Sequence, residues 1–369
     1  MVSKPTEPNW TFNNHPAIQL LLCCLSPTVD SQTVEQIKTL GQADIDWVAL
    51  VELAKKHKVG LLFYHGLSRI GTAPIPEAIQ AHLRHYSQTM TVRNLQVTSE
   101  LTRLLSLMAA SDIDTLPYKG PILAQTLYKT LSLRVYSDLD IVVQPQDMYA
   151  VEALLIAEGY RPYHGKKNRA ELAAHMRSPA EHTYDFYHDG KRILIEVHWR
   201  FWPTTFSAVN PREIWHRRQT ATLAGTPVSN LTLEDYLIIL CMHGSRHLWQ
   251  RLSWQCDIAM LLHNYPDLNW QQVITQASQW GVQRMVFLGL YLAHTWLKAP
   301  LPETILRQLA ADSALPALAA QVDYKTFQQG SSPKTFMATT HYQLQVRERW
   351  QDKAAYASGF GQWLLKGCP

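Results

Sequence analysis

The run Ser137-Asp-Leu-Asp-Ile-Val-Val143 decides the fold expected for this chain. Its branched apolar residues favour a strand, and Gln144-Pro145 ends it. Because alternate residues of a strand share a face, Asp138 and Asp140 point one way and the apolar residues point the other. Two like charges held so close repel each other, and a divalent cation relieves the repulsion. The run therefore predicts a strand that binds a metal, with Mg²⁺ as the expected ion.

A second strand, Ile193–Trp199, repeats this alternation. Glu196 and His198 share its polar face, while isoleucine, valine and tryptophan occupy the other. If this strand pairs beside the first, Glu196 joins Asp138 and Asp140 as a third carboxylate, and His198 borders the site. Three carboxylates on adjacent strands suit phosphoryl or nucleotidyl transfer, with Glu196 completing the metal site or acting as general base.

The second strand is also half of a predicted hairpin. Two strand-like runs, His182–His188 and Lys191–Arg200, flank the pair Asp189-Gly190. This pair is favoured in a two-residue type I′ turn, so we expect a tight hairpin here.

A candidate phosphate-binding segment precedes both strands. Tyr118-Lys-Gly120 ends a short strand and leads into a helix that we expect from about residue 121 to 131. Gly120 lets the backbone approach a phosphate, and Lys119 offers a point charge. Arg134 is a second phosphate ligand candidate, and Ser137 is a candidate hydroxyl donor. We predict that these residues and His198 contact the nucleotide.

Taken in this order, the motifs resemble the uncharacterised bacterial nucleotidyltransferase family of the polymerase-β-like superfamily. The resemblance covers roughly residues 100 to 265 and implies that Asp138, Asp140 and Glu196 hold Mg²⁺. At the first motif this chain has Lys119-Gly120, where superfamily members usually carry Gly-Gly or Gly-Ser. Later motifs also match: Leu233-Glu-Asp-Tyr-Leu, His243-x-x-x-His247-x-Trp249 and Trp254-x-x-Asp257-Ile258.

The expected architecture is an α+β fold with a small mixed-sheet nucleotidyltransferase core between two helical regions. Residues 1–110 form the N-terminal helical region, including a long helix from about Glu77 to Ala110. Residues 111–230 form the core, and residues 231–369 form the C-terminal helical region. The apolar stretch Val282–Leu297 contains an arginine and a histidine and is expected to be a buried helix.

Composition excludes several other classes. The 369 residues carry 34 Lys+Arg and 30 Asp+Glu, a formal net charge of +4 that neither requires nor excludes a nucleic-acid partner. The five cysteines are scattered without a Cys-x-x-Cys pair, which rules out a zinc ribbon. His243 and His247 have a spacing that can bind zinc, but the zincin pattern needs Glu where Gly244 stands. No leader or membrane segment is recognised, so we expect a cytoplasmic protein without a membrane partner.

The sequence thus predicts a Mg²⁺-dependent transferase that moves a nucleoside monophosphate from an NTP, with ATP expected, to a hydroxyl or phosphate acceptor. A phosphotransferase using the same metal site, a catalytically silent scaffold and a tRNA-modifying enzyme are the alternatives. The acceptor is a small molecule, a peptide or a protein, and RNA is less favoured because no basic arm is present.

Overall fold

The structure, a computed structural model, describes residues 15–28, 30–69, 75–207, 209, 211–328 and 336–365. The chain divides into two compact units. The first contains Met1–Thr89 and Leu237–Arg349, and the second contains Met90–Tyr236 and Trp350–Pro369.

The described part of the chain is an α+β protein rich in helix. In chain order its α-helices are α1 (Pro16–Leu25), α2 (Ser31–Gly41), α3 (Trp47–Lys56), α4 (Gly60–Ser68), α5 (Glu77–Ala110), α6 (Gly120–Leu123), α7 (Met148–Ala157), α8 (Arg169–Arg177), α9 (Pro211–Arg217), α10 (Leu233–Arg246), α11 (Leu252–Asn264), α12 (Trp270–Trp280), α13 (Gln283–Leu297), α14 (Glu303–Ala311), α15 (Leu315–Asp323), α16 (Phe336–Gln345) and α17 (Trp350–Leu365). The strands are β1 (Thr115–Pro117), β2 (Asp138–Val143), β3 (Arg161–Pro162), β4 (Thr183–His188), β5 (Ile193–His198), β6 (Gln219–Leu223) and β7 (Thr226–Asn230).

The second unit is built on a mixed five-stranded sheet in the order β1-β2-β5-β4-β3. β2 and β5 run parallel, and the other neighbours in this sheet are antiparallel. The register places Asp140 opposite Glu196, and Glu196 opposite Asp185 on β4. β6 and β7 form a separate antiparallel pair. The register therefore places three carboxylates in one row across β2, β5 and β4.

One face of this sheet is covered by apolar side chains. Leu139 and Ile141 of β2 and Ile195 and Val197 of β5 are almost fully buried. They belong to one cluster with the apolar stripe of α5, whose members are Val97, Leu101, Leu104, Leu105 and Met108. Burying this face leaves the alternate residues, including the row of carboxylates, on the other face. The predicted alternation is confirmed in both strands.

Several local predictions are confirmed, and two need correction. The long helix, the buried helix and the hairpin are present at the expected places. The hairpin loop, however, has four residues, Asp189 to Arg192, and Arg192 takes the left-handed conformation with φ of 54°. The type I′ turn was therefore wrong, because pairing continues only to His188 and Ile193. The helix expected up to residue 131 ends earlier: α6 passes into a π-helical turn, Ala124–Tyr128.

The helices of the described residues were compared with the length and hydropathy of a membrane span. None of its helices combines the length and apolar character that crossing a bilayer requires.

An ionic network centred on the buried Glu100 links α5 to the loop before β5. The Glu100 carboxylate accepts hydrogen bonds from Arg103, Lys191 and Tyr160 at 2.8 to 3.1 Å. Arg103 also bonds Glu158, just after α7, at 2.6 Å. Burial alone would raise the pKa of Glu100, but these donors outweigh it and lower the pKa to about 2. The network therefore joins α5, the end of α7 and the hairpin loop.

We expect Glu100→Gln to destabilise the protein at pH 7 by about 2–3 kcal/mol, because the variant loses the charged form that the donors favour. A lowered pKa gives stability that is complete above the unfolded pKa and is lost as the pH falls from about 4.5 toward 2. The wild type should therefore lose this contribution in acid, and the variant should not. Urea unfolding at pH 7 and pH 3 measures both effects.

The matched control is Glu35→Gln, since Glu35 is exposed and forms a surface salt bridge with Lys38 at 2.7 Å. Surface pairs of this kind contribute about 0–1 kcal/mol. An acid dependence of Glu100→Gln as steep as that of the wild type would contradict the assignment.

Candidate functional site

Three side chains on the open face of the sheet form a compact group. Asp140 of β2 and Glu196 and His198 of β5 each offer a ligand atom, and these atoms lie within 4.8 Å of one another. The parallel pairing of β2 with β5 sets Asp140 beside Glu196, and His198 follows two residues later on the same face. Asp140 and His198 are buried, whereas the Glu196 side chain is 30% exposed. The group is therefore buried on one side and open at Glu196.

Asp140 is the most strongly paired member of the group. Its Oδ1 lies 2.7 Å from Nζ of Lys119 and 3.3 Å from Nε2 of His198. Burial alone would raise the pKa of the Asp140 carboxyl, but the Lys119 ammonium and the His198 ring hold it well below its usual range. Burial also disfavours the Lys119 ammonium, but Asp140 outweighs this and raises the pKa of Lys119. Both groups are thus charged at neutral pH.

His198 sits between the two carboxylates. Its Nε2 is 3.5 Å from Oε2 of Glu196, and the Tyr118 hydroxyl lies 3.4 Å from the same nitrogen. Burial works against the protonated ring, but hydrogen bonds with Asp140 and Glu196 leave the pKa of His198 raised. The centroids of the Tyr118 and His182 rings lie 5.2 and 5.6 Å from that of the His198 ring, and Phe201 packs against Tyr118 at 5.1 Å. These aromatic rings hold the imidazole in place.

The segment from Tyr118 to Gly120 brings Lys119 to the site. Tyr118 extends the β1–β2 pairing by donating its backbone N–H to the Asp140 carbonyl at 3.3 Å. Gly120 has a φ of 56°, and a Cβ there would lie 3.2 Å from the Asp138 carbonyl oxygen. A side chain at this position would be both strained and crowded, so glycine is required. The close approach therefore sets the backbone that directs Lys119 to Asp140.

The other predicted site residues lie around this group. Asp138 is half-buried at the start of β2, opposite Leu194, and is not a member of the group formed by Asp140. Ser137 is exposed directly before β2. Arg134 lies in the segment leading into β2, where its carbonyl accepts a hydrogen bond from the buried Asn94 amide at 2.8 Å. The structure thus brings Lys119, Asp140, Glu196 and His198 together and leaves the remaining candidates at the approach to β2.

Asp185 is a neighbouring carboxylate that the sequence reasoning missed. It lies directly opposite Glu196 on β4, and its Oδ1 is buried without a hydrogen-bond partner among the described residues. Burial and the nearby Glu196 charge raise the pKa of Asp185. Its other oxygen is 3.7 Å from Nε2 of the exposed His164. The signal was available, because Asp185 alternates with the buried residues Tyr184 and Phe186.

The residues present fit a divalent cation. Two carboxylates and one imidazole are ordinary ligands for such an ion, and carboxylates are the ligands that Mg²⁺ prefers. Asp185, one strand further along, lies in the same row of carboxylates, and its buried Oδ1 has no hydrogen-bond partner among the described residues. The site is therefore a candidate metal centre.

The two histidines of the later motif belong to the other unit. The rings of His243 on α10 and of His247, directly after this helix, lie 4.7 Å apart, and they pack against Trp254 at 5.2 and 5.6 Å. They are not part of any metal-ligand group of three among the described residues. The arrangement favours helix packing over zinc binding.

Comparisons with known proteins agree with this picture at the level of family. A family model described as "Uncharacterised nucleotidyltransferase" matches residues 43–298. Among solved structures, the chain is similar to an antigenic nucleotidyltransferase-like protein from Paracoccidioides brasiliensis, with 13% sequence identity and a TM-score of 0.33. That alignment covers 57% of this chain and 97% of the other. No curated protein matches the chain.

Proposed function

Because the chain belongs to the family of uncharacterised nucleotidyltransferases, we propose that it moves a nucleoside monophosphate from an NTP, with ATP as the expected donor, to a hydroxyl or phosphate acceptor. The observation that carries this proposal is the group formed by Asp140, Glu196 and His198 on adjacent strands, with Lys119 against it. We further propose that residues 111–230 carry the reaction.

Asp140, Glu196 and His198 would hold the divalent cation, with Mg²⁺ proposed, and Asp138 stands two residues before Asp140 on the same face of β2. When bound, such an ion neutralises triphosphate charge and makes the α-phosphorus easier to attack. Arg134 and Ser137, which lie just before β2, are proposed to contact the phosphates of the nucleotide. Lys119 is proposed to supply positive charge to the site, and Gly120 is proposed to let a phosphate approach the backbone closely.

The proposed step forms one bond and breaks another. The acceptor oxygen attacks the α-phosphorus, the bond between the α-phosphorus and its bridging oxygen breaks, and pyrophosphate leaves. Glu196 is the proposed acceptor for the proton of an attacking hydroxyl, because it is the most exposed member of the group. Positioning and charge neutralisation supply most of the rate enhancement in such transfers.

Calorimetric binding of each NTP, with and without Mg²⁺, tests the nucleotide part of the proposal. We expect binding that depends on metal in the wild type and is lost in the Asp138→Asn/Asp140→Asn double variant, which removes two charges from β2. The matched control is Asp189→Asn, because Asp189 is exposed and pairs with Arg161 away from the group. If a well-folded wild type binds no NTP, the proposal is contradicted and the scaffold alternative is favoured.

Product analysis separates the two transfer reactions that share this site. Incubation with an NTP labelled in the α-phosphate should give pyrophosphate and label on the acceptor. Release of a nucleoside diphosphate instead would replace nucleotidyl transfer with phosphotransfer.

A further inference from the structure

The Lys119 ammonium places a positive charge beside Asp140, a proposed metal ligand. Nζ of Lys119 lies 2.7 Å from Oδ1 of Asp140, and their side chains are only 19% and 4% exposed. Removing one partner from a buried pair leaves an uncompensated charge, which is strongly unfavourable. We therefore expect the Lys119 ammonium to stay beside Asp140 when other ligands bind.

The position of Lys119 is determined from two sides. Its backbone is set by the left-handed Gly120, where a Cβ would lie 3.2 Å from the Asp138 carbonyl oxygen. Its ammonium also lies 4.8 Å from the centre of the Tyr118 ring, within the range of a cation–π contact. The buried Tyr118 is itself fixed by the rings of His198 and Phe201. The ammonium is thus positioned by the fold independently of any ligand.

One oxygen of Asp140 contacts both Lys119 and His198. Oδ1 of Asp140 lies 3.3 Å from Nε2 of His198 as well as next to the ammonium. Glu196 is the other carboxylate of the group, and Asp138 lies outside it. The oxygens of Asp140 and Glu196 must therefore serve Lys119, His198 and any metal.

Charge balance limits what this site can hold. Before a nucleotide binds, one divalent cation together with the Lys119 ammonium already exceeds the formal charge of Asp140 and Glu196, the two carboxylates of the group. A second divalent cation at the same carboxylates would add like charge next to a buried ammonium, where the repulsion is weakly screened. Two-metal transfer sites instead use two divalent cations a few ångströms apart.

We propose that Lys119 is a built-in cation that takes the place of one of the two metal ions, so that this site holds a single divalent cation. This inference rests on the metal site of the proposed function and adds its stoichiometry. Asp140 is then shared between the ammonium and the one ion, and Glu196 and His198 belong to the ion. On this proposal, the left-handed backbone at Gly120 directs the Lys119 ammonium to Asp140.

The number of bound Mn²⁺ ions tests the proposal. Mn²⁺ is added to the full chain, and the free ion is counted by electron paramagnetic resonance, with and without the non-transferable analogue α,β-methylene-ATP. After subtraction of Mn²⁺ bound to the free analogue, the wild type and Lys119→Arg should saturate at one ion per chain. Lys119→Met frees Oδ1 of Asp140 and should saturate at two.

The matched control is Lys166→Met, which removes an exposed lysine from the same unit and should saturate at one ion. Saturation of the wild type at two ions, or of Lys119→Met at one, would overturn the proposal. If Lys119→Met does not fold by circular dichroism, the wild-type and Lys119→Arg counts still decide it. Calorimetric binding of the analogue is read separately, so that loss of the proposed nucleotide function is distinguishable from a wrong metal count.

Discussion

Asp140→Asn is expected to lower the rate of pyrophosphate release from ATP by about 10³-fold or more, because Asp140 is the carboxylate shared by the ammonium, the imidazole and the proposed ion. The substitution keeps the size of the side chain, removes its charge and replaces one acceptor oxygen by an NH2 donor. Initial rates at saturating Mg²⁺ and ATP measure the effect, and Asp140→Ala should be at least as inactive.

The fold should survive this change with a clearly lower melting temperature, because the largely buried Lys119 loses its counter-ion but keeps its contact with the Tyr118 ring. Near-native circular dichroism at 20 °C therefore accompanies the lost rate. Asp189→Asn should keep both rate and melting temperature. A folded Asp140→Asn protein with full activity would remove Asp140 from the site.

Gly244→Ala is expected to cost about 3 kcal/mol or more of folding stability, the largest loss from one added methyl group that we predict. A methyl on Gly244 would overlap the ring of Trp249, which is fully buried. The turn that carries the ring is held by a hydrogen bond from the Trp249 backbone N–H to the Gly244 carbonyl at 2.8 Å, so the ring cannot move aside with the backbone easily. Leu248 and Trp249 both take left-handed φ values, 56° and 54°, which further fixes the turn.

Thermal unfolding of Gly244→Ala measures this loss, and about 3 kcal/mol corresponds to a melting temperature lower by roughly 6–12 °C. The matched control is Gly190→Ala in the β4–β5 loop, where a methyl would lie at an ordinary 3.5 Å from His188. A shift of Gly244→Ala no larger than that of the control would show that the turn relaxes without cost.

Alternation along single strands made much of the site predictable. The Asp-x-Asp pattern of β2 and the Glu-x-His pattern of β5 each specify a face from period two alone. That two such faces belong to one site follows only if the strands are neighbours. The sequence supported this pairing through the order of motifs and the family resemblance, and the register confirms that Asp140 lies opposite Glu196.

Features that depend on register or on a third element were not predictable in the same way. The partner of Lys119 depends on how the turn at Gly120 directs a long side chain, and no local pattern specifies that direction. The exact membership of the ligand group depends on strand stagger, so Asp140 joined it without Asp138. The position of Asp185 depends on the loop between β4 and β5, which has four residues instead of two.

The parallel pairing of β2 with β5 has a consequence for how the protein acquires its site during folding. Asp140 and Glu196 are far apart in the chain, and α7, β3, α8 and β4 all lie between them. Contacts of such long range form slowly, because a large loop must close before they are gained. A folding intermediate that has β1 and β2 but lacks β5 would hold Lys119 against Asp140 and be unable to gather the other ligands. In such an intermediate Asp140 would already be paired with Lys119, and metal binding would wait until β5 brings Glu196 and His198.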